Sequence, residues 1–164
     1  MPRPAPTRDR TALLHWRSEA DTAAFAARLA ACAELRDAFI ALQGDLGAGK
    51  TTLTRHLLRA LGVAGRVKSP TYAVLEPHRA PDGLAISHLD FYRFSDPREW
   101  EDAGLRDVFA APGLKLAEWP ERAAALLPAP DLLLHIETQA DDTRAVTLTA
   151  PTARGARLLA EVTP

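Results

Sequence analysis

The feature that most constrains the fold is the junction, at residues 38–51, between an apolar run and a glycine-rich stretch. The run Ala-Phe-Ile-Ala-Leu at 38–42 is typical of a buried strand in a parallel sheet. The stretch Gly-Asp-Leu-Gly-Ala-Gly-Lys-Thr at 44–51 fits the pattern G-x-x-x-x-G-K-S/T at every fixed position. Leucines at 53, 57, 58 and 61 then predict an amphipathic helix that a glycine at 62 ends. This order indicates a phosphate-binding loop (P-loop).

Each residue type in this loop has a physical reason. Glycines at 44, 47 and 49 can adopt positive φ and bring the backbone close to phosphate oxygens. Successive N–H groups at the start of a helix form an anion site. Lys50 supplies charge for the β- and γ-phosphates of ATP, and the Thr51 hydroxyl supplies a ligand for Mg²⁺. The predicted nucleotide-binding residues are Gly44, Asp45, Leu46, Gly47, Ala48, Gly49, Lys50 and Thr51.

Two carboxylates are candidates for the catalytic chemistry beside this loop. Asp90 ends the apolar run that starts at residue 84, and Glu118 ends the run at 114–117. Turnover of a nucleotide requires a carboxylate near Mg²⁺ and a group that positions water. From position alone either residue could hold the metal while the other orients water, and each could also be a solvated acid at the end of a strand.

The remaining patterns predict a mixed sheet with helices. The expected strands are 11–17, 113–118, 131–139 and 144–150, with a hairpin formed by 72–78 and 84–90. Helices are expected after Ser18 or Asp21, at 97–103, at 120–127 and at 153–162, and the mixed-charge segment 96–107 is expected to be a surface helix. We expect an α/β fold: a three-layer P-loop NTPase-like arrangement with a mixed parallel and antiparallel central sheet. Residues 1–10, rich in proline, are expected to form a flexible tail before a single P-loop ATPase domain at 11–164.

Composition narrows the classes of function. The net charge of −1 lacks the basic excess of proteins that grip nucleic acid by their own charge. No apolar run approaches the ~20 residues of a membrane span, and no secretory signal is recognisable. The single cysteine, Cys32, excludes an internal disulfide and suits a reducing compartment, so we expect a cytoplasmic protein. Cys32 is expected to be inert packing on a helix face, and no His/Cys/carboxylate spacing suggests zinc.

Four blocks of sequence carry a resemblance to a known family. They are the loop extended to Thr52, Val-Lys-Ser-Pro-Thr-Tyr at 67–72, His-Leu-Asp-Phe-Tyr-Arg at 88–93 and Glu-Trp-Pro-Glu at 118–121. Their order and spacing resemble the TsaE (YjeE) family, the small bacterial ATPases of the pathway that makes N6-threonylcarbamoyladenosine (t⁶A) in tRNA. The P-loop alone is shared by many unrelated NTPases, so the later blocks make the resemblance specific.

The resemblance implies roles for individual residues. Thr51 and Glu118 would hold Mg²⁺, and Asp90 would lie at the γ-phosphate and be needed for hydrolysis. Thr71 would sense the γ-phosphate from a switch-like loop. The resemblance places Glu19 and Thr22 over the adenine and Trp119 beside the nucleotide site. It also adds Thr52 at the end of the loop, and Arg144, which would reach the nucleotide from the far hairpin. Without the resemblance, Trp119 would be interpreted as a core or groove aromatic and His88 as a structural histidine.

The resemblance also implies a function and partners. The chain would be an ATPase subunit for t⁶A synthesis at tRNA position 37, acting with TsaD and TsaB, with tRNA contacted mainly through them. Hydrolysis by the chain alone is expected to be slow, because the sequence offers no obvious arginine finger. Two other classes stay open: a small-molecule kinase, which would need an arginine-bearing lid and an acceptor pocket, and a nucleotide sensor that switches an interface without hydrolysis.

Overall fold

The computed structural model describes residues 10–65, 67 and 74–164. Within them the chain forms seven strands and five α-helices. The strands are β1 (Arg10–Trp16), β2 (Phe39–Gln43), β3 (Leu75–Arg79), β4 (Ala85–Asp90), β5 (Leu114–Glu118), β6 (Leu132–Thr138) and β7 (Arg144–Ala150). The helices are α1 (Glu19–Ala30), α2 (Lys50–Ala60), α3 (Pro97–Asp102), α4 (Leu105–Ala110) and α5 (Ala153–Val162), and 3-10 helices lie at Ala33–Asp37 and Pro120–Ala123.

All seven strands join one sheet in the order β1-β7-β6-β2-β5-β4-β3. The four strands in the middle, β6, β2, β5 and β4, run parallel to one another. The pairs β1–β7, β6–β7 and β3–β4 are antiparallel. The predicted mixed sheet is therefore confirmed, with the parallel part at its centre, where strands are covered on both faces.

Helices cover both faces of this sheet, as the residues of β2 show. Side chains alternate between the two faces along a strand. Ile40 and Leu42 pack in one buried cluster with apolar residues of α1, α2 and α5. Phe39 and Ala41 belong to a second buried cluster that includes Leu105 of α4. The arrangement has the three layers that the sequence predicts.

Most predicted segments are confirmed to within a few residues, and two are corrected. The helix expected at 120–127 is only the short 3-10 helix Pro120–Ala123, because a second proline at 128 disfavours helical backbone just before it. The surface helix expected at 96–107 is two short helices: α3 ends at Asp102, and Gly104, at φ 64°, is the N-cap of α4. The structure confirms the hairpin as β3 and β4, and residues 72–73 lie outside the described residues.

The first described residue, Arg10, corrects the expected bounds of the N-terminal tail. Arg10 is part of β1 and pairs with Ala150. The rest of the expected tail, residues 1–9, lies outside the described residues. No helix in the described part of the chain has the length and apolar composition that a bilayer crossing requires.

Candidate nucleotide and metal site

The loop between β2 and α2 has the backbone that the P-loop pattern predicts. Gly44, Gly47 and Gly49 have φ values of 153°, 79° and 114°, which side-chain-bearing residues rarely adopt. A Cβ atom on Gly44 would lie 2.5 Å from the carbonyl oxygen of Ile136 in β6. Helix α2 begins at Lys50, so the N–H groups of its first turn have no partners within the helix and are available to an anion.

Two carboxylates lie beside this loop because of the sheet register. Asp90 and Glu118 are the last residues of the parallel strands β4 and β5 and occupy opposite positions in the ladder. Glu118 is also opposite Leu42 of β2, the strand that leads into the loop. Both carboxylates are buried, Asp90 at 4% and Glu118 at 2% exposure. Solvated acids at strand ends would not be buried in this way, so that interpretation is wrong for both.

Thr51 and Glu118 meet directly. The Thr51 hydroxyl donates to Oε1 of Glu118 at 3.0 Å. Mg²⁺ in nucleotide sites is held by one or two protein oxygen ligands, phosphate oxygens and water. A hydroxyl and a buried carboxylate in contact at the start of α2 fit that donor set. The described residues contain no cluster of three or more His, Cys, Asp or Glu side chains that could hold a metal by itself.

Lys50 lies over the mouth of the loop. Its ammonium group donates to the carbonyl oxygens of Gly44 and Asp45, the latter at 3.1 Å. The same group lies 4.1 Å from the centre of the Trp119 ring, a cation–π distance. Burial lowers the pKa of Lys50, and the nearby carboxylates, Glu118 foremost, oppose that shift. A cation held in this position is ready to interact with phosphate.

Asp90 is oriented by the chain that follows it. Its Oδ1 accepts a hydrogen bond from the Tyr92 backbone N–H at 2.9 Å. The Tyr92 ring packs against Trp119, with 5.0 Å between ring centres. Trp119 itself has φ 55°, a conformation that costs a non-glycine residue energy and is found disproportionately at functional sites.

Two cavities flank the P-loop and divide the site residues between them. Both are lined by Gly47, Gly49 and Thr52. The cavity that contains the carboxylates, called here the carboxylate cavity, is further lined by Leu46, Lys50, Thr51, Asp90, Tyr92, Glu118 and Trp119. The second, called here the α1 cavity, is further lined by Trp16, Arg17, Ser18, Glu19, Thr22, Ala48, Asp142 and Arg144.

The structure therefore brings together most of the residues singled out from sequence. Arg144, in the distant β7, donates through Nε to the carbonyl oxygen of Ala48 at 2.9 Å and so reaches the P-loop. Glu19 contacts Nε2 of His56 in α2 at 2.9 Å. Asp45 lines neither of the two cavities, although its carbonyl oxygen accepts from Lys50, and Leu46 is largely exposed. Thr71 and its loop lie outside the described residues.

Sequence reasoning missed some of the lining. Asp142 reaches the α1 cavity from the β6–β7 turn, where it has φ 65°, and nothing in its local sequence indicates this. Tyr92, to which no role was assigned from sequence, lines the carboxylate cavity. His88 was read as structural, and the structure shows its Nε2 2.6 Å from Oε2 of Glu118. The available signal was that His88 and Asp90 are two residues apart in β4 and therefore share one face of the strand.

A parallel strand that leads through a glycine-rich loop into a helix, with carboxylates ending two neighbouring strands, defines a protein with a P-loop NTPase-like fold. The model of the family described as "Threonylcarbamoyl adenosine biosynthesis protein TsaE" matches residues 16–146. The chain belongs to this TsaE family, as the resemblance of its motifs predicted.

Individual members of the family also match most of this chain. The tRNA threonylcarbamoyladenosine biosynthesis protein TsaE of Haemophilus influenzae is 45% identical over 118 residues, which cover 72% of this chain and 73% of that protein. The Bacillus subtilis protein of the same name is 39% identical over 140 residues, 84% and 85% of the two chains. The crystal structure of Bacillus subtilis YdiB superposes with a TM-score of 0.78 at 30% identity, covering 94% of this chain and 95% of that one.

Proposed function

We propose that the chain is an ATP-binding, slowly ATP-hydrolysing subunit required for threonylcarbamoylation of adenosine 37 in tRNA. It acts with TsaD and TsaB through nucleotide-dependent association. The observation that carries this proposal is the convergence of Lys50, Thr51, Asp90 and Glu118 on one cavity beside the P-loop. The pathway is inferred from the family and from the names of relatives that are up to 45% identical to this chain.

The two cavities suggest how ATP lies across the loop. The phosphates bind the backbone N–H groups at 44–51 and Lys50, within the carboxylate cavity. Thr51 and Glu118 hold Mg²⁺, which neutralises phosphate charge when bound. The adenosine end occupies the α1 cavity with Glu19 and Thr22, and Arg144 completes the wall. The resemblance adds Trp119 beside the nucleotide and Thr71 at the γ-phosphate.

Asp90 is the residue that we assign to hydrolysis. It is buried, lies opposite Glu118 and lines the same cavity as Lys50. A carboxylate in this place can accept a hydrogen bond from the attacking water and align it with the γ-phosphate. Lys50 stabilises the charge that develops on the phosphate oxygens. The division of roles between the two acids, left open by position alone, rests on the contact of Glu118 with Thr51.

We assign to the partners the affinity for tRNA that the charge of this chain does not supply. A net charge of −1 gives little non-specific affinity for tRNA, so we assign tRNA contact mainly to TsaD and TsaB. The single buried cysteine suits the reducing cytoplasm, where we place the protein.

Phosphate release tests this proposal directly. The rate is measured for the chain alone and after addition of TsaB and TsaD, with ATP as substrate. We expect slow release alone and strong stimulation by the partners, which can reach ~10³-fold where a partner completes the catalytic groups. An unchanged rate with both partners present would contradict the cooperative part of the proposal.

An Asp90→Asn variant separates hydrolysis from binding. The amide keeps the size of the side chain but removes the negative charge that polarises water. We expect hydrolysis to fall by ~100-fold or more while ATP still binds, because positioned acid–base groups contribute effects of that order. A variant that hydrolyses ATP normally would exclude Asp90 from this role. A variant that loses hydrolysis but still supports t⁶A formation would favour the sensor class. A phosphorylated metabolite formed faster than free phosphate would instead identify a kinase.

A further inference from the structure

The buried side chain of His88 is an unusual component of the wall behind the carboxylate cavity. It is fully buried, at 0% exposure, and lies in the parallel part of the sheet. Its Nε2 lies 2.6 Å from Oε2 of Glu118. Its other ring nitrogen, Nδ1, is buried and has no hydrogen-bond partner among the described residues. An apolar side chain would fill this place without burying an unpaired nitrogen, so packing alone does not account for a histidine.

The sheet register explains why the two side chains meet. His88 is opposite Leu116 in the β4–β5 ladder, and Glu118 is two residues further along β5. Residues two apart on a strand share a face, so His88 and Glu118 are diagonal neighbours on the same side of the sheet. Leu116 belongs to the buried cluster that includes residues of α2, the helix that carries Thr51. His88 therefore approaches Glu118 from the side away from the cavity.

The carboxylate is held at both oxygens. Oε1 accepts from the Thr51 hydroxyl and Oε2 is in contact with His88. An ionised carboxylate can only accept hydrogen bonds, so in the 2.6 Å contact Nε2 of His88 is the donor. With one oxygen held by Thr51 and the other by His88, the carboxylate has a defined orientation toward Thr51. Groups that orient metal ligands in this way commonly alter metal affinity when removed.

We propose that His88 is a positioning residue for the divalent metal: it fixes the rotamer of Glu118 so that Oε1 faces Thr51 and the P-loop. This inference rests on the proposed function, because it takes Thr51 and Glu118 as the residues that hold Mg²⁺. It assigns His88 no contact with nucleotide or metal.

The test compares metal binding with nucleotide binding. Mn²⁺ affinity, as a spectroscopic substitute for Mg²⁺, is measured in the complex with ADP, and ADP affinity is measured separately in EDTA. We expect His88→Leu to weaken Mn²⁺ binding by ~10- to 100-fold, the usual effect of losing an orienting group. ADP binding without metal is expected to stay as in the unchanged protein. His88→Gln, whose amide can reach the position of Nε2, is expected to restore most of the metal affinity.

Three further variants make the outcomes separable. Ser87→Ala alters the neighbouring residue on the opposite face of β4 and is expected to leave both affinities unchanged. If His88→Leu does not fold, as judged by circular dichroism, His88→Asn replaces it, since its shorter amide does not reach Glu118 and predicts the same loss. Glu118→Gln tests the metal site itself. The positioning role is overturned if Glu118→Gln abolishes Mn²⁺ binding while the His88 variants bind Mn²⁺ normally. It is also overturned if His88→Leu and His88→Gln lose Mn²⁺ affinity equally. If Glu118→Gln binds Mn²⁺ normally, the proposed metal site fails, and the inference fails with it.

Discussion

At the scale of single residues, Trp119 shows how the site combines binding and backbone strain. It follows Glu118 directly, has φ 55°, and presents its ring to the Lys50 ammonium group at 4.1 Å. The ring also packs against Tyr92. A left-handed conformation at a bulky residue costs of the order of 1–3 kcal/mol and persists only where the surroundings impose it. Trp119 is therefore placed to respond when phosphate competes for Lys50.

Tryptophan fluorescence tests that placement. The chain has three tryptophans, so Trp16→Phe with Trp100→Phe leaves Trp119 as the only one. We expect a saturable change in its emission on addition of ADP with Mg²⁺, because phosphate draws the Lys50 charge from the ring. A matched protein that retains only Trp100, which stacks on Phe109 against the second buried cluster, is expected to show no change. Equal responses from the two proteins would contradict the placement of Trp119.

Cys32 offers a test of the buried core at the same scale. Burial, with a smaller contribution from Glu161, raises the pKa of its thiol to about 12. Only the thiolate reacts with iodoacetamide, so at pH 8 we expect alkylation to be ~1,000-fold slower than for a free cysteine of pKa ~8.5.

The pH dependence of this reaction has a definite sign. Because the pKa in the folded protein lies far above the assay range, the alkylation rate is expected to rise about tenfold per pH unit from pH 7 to 9.5. A free thiol would level off near pH 8.5. A plateau there in the native protein, measured by mass spectrometry, would show that Cys32 is accessible or ionisable and would contradict its assignment to inert packing.

At the scale of secondary-structure elements, α5 is attached to the sheet through a chain of hydrogen bonds. Oδ2 of Asp131 accepts from the Phe39 backbone N–H at 2.8 Å, and its Oδ1 accepts from the Thr152 hydroxyl at 2.7 Å. Oγ1 of Thr152 in turn accepts from the N–H of Gly155 and caps the helix. This chain ties the start of α5 to β2, the strand that carries the P-loop.

Gly155 allows α5 to approach Asp131 closely, and the sign of the change in unfolding free energy on Gly155→Ala tests this contact. A Cβ atom there would lie 1.6 Å from the Asp131 carbonyl oxygen. Helix propensity alone favours Gly155→Ala by ~1 kcal/mol. We expect the opposite, a loss of unfolding free energy of ~2 kcal/mol or more, because inserting volume into close packing typically costs 1–3 kcal/mol. Urea denaturation measures the difference.

The exposed position Ala160 supplies the control on the same helix. Ala160→Gly removes a good helix former without touching the sheet and is expected to destabilise by ~1 kcal/mol. If Gly155→Ala stabilises the protein by a comparable amount, α5 does not approach Asp131 as described.

At the scale of the whole molecule, features set by neighbouring residues could be predicted from sequence, whereas contacts set by the order of strands could not. The P-loop was predictable because glycines, Lys50 and Thr51 are adjacent in the chain and each has a local physical reason. Glu118 and Asp90 were interchangeable from sequence, because the Thr51–Glu118 contact depends on β5 pairing with β2. The contact of Arg144 with Ala48 likewise depends on the sheet, because the two residues are 96 positions apart in sequence. Strand order is a property of the whole sheet, which local periodicity does not encode.

The central claim is that nucleotide turnover at this P-loop supports t⁶A formation. The most direct measurement is the t⁶A content of tRNA, by mass spectrometry of digested nucleosides, in Bacillus subtilis cells in which this chain replaces their own TsaE. We expect the unchanged chain and Leu13→Ala, a substitution of an exposed residue on β1, to restore t⁶A. Lys50→Ala and Asp90→Asn are expected to fail although both proteins accumulate. Restoration of t⁶A by Lys50→Ala to the level of the unchanged chain would contradict the account.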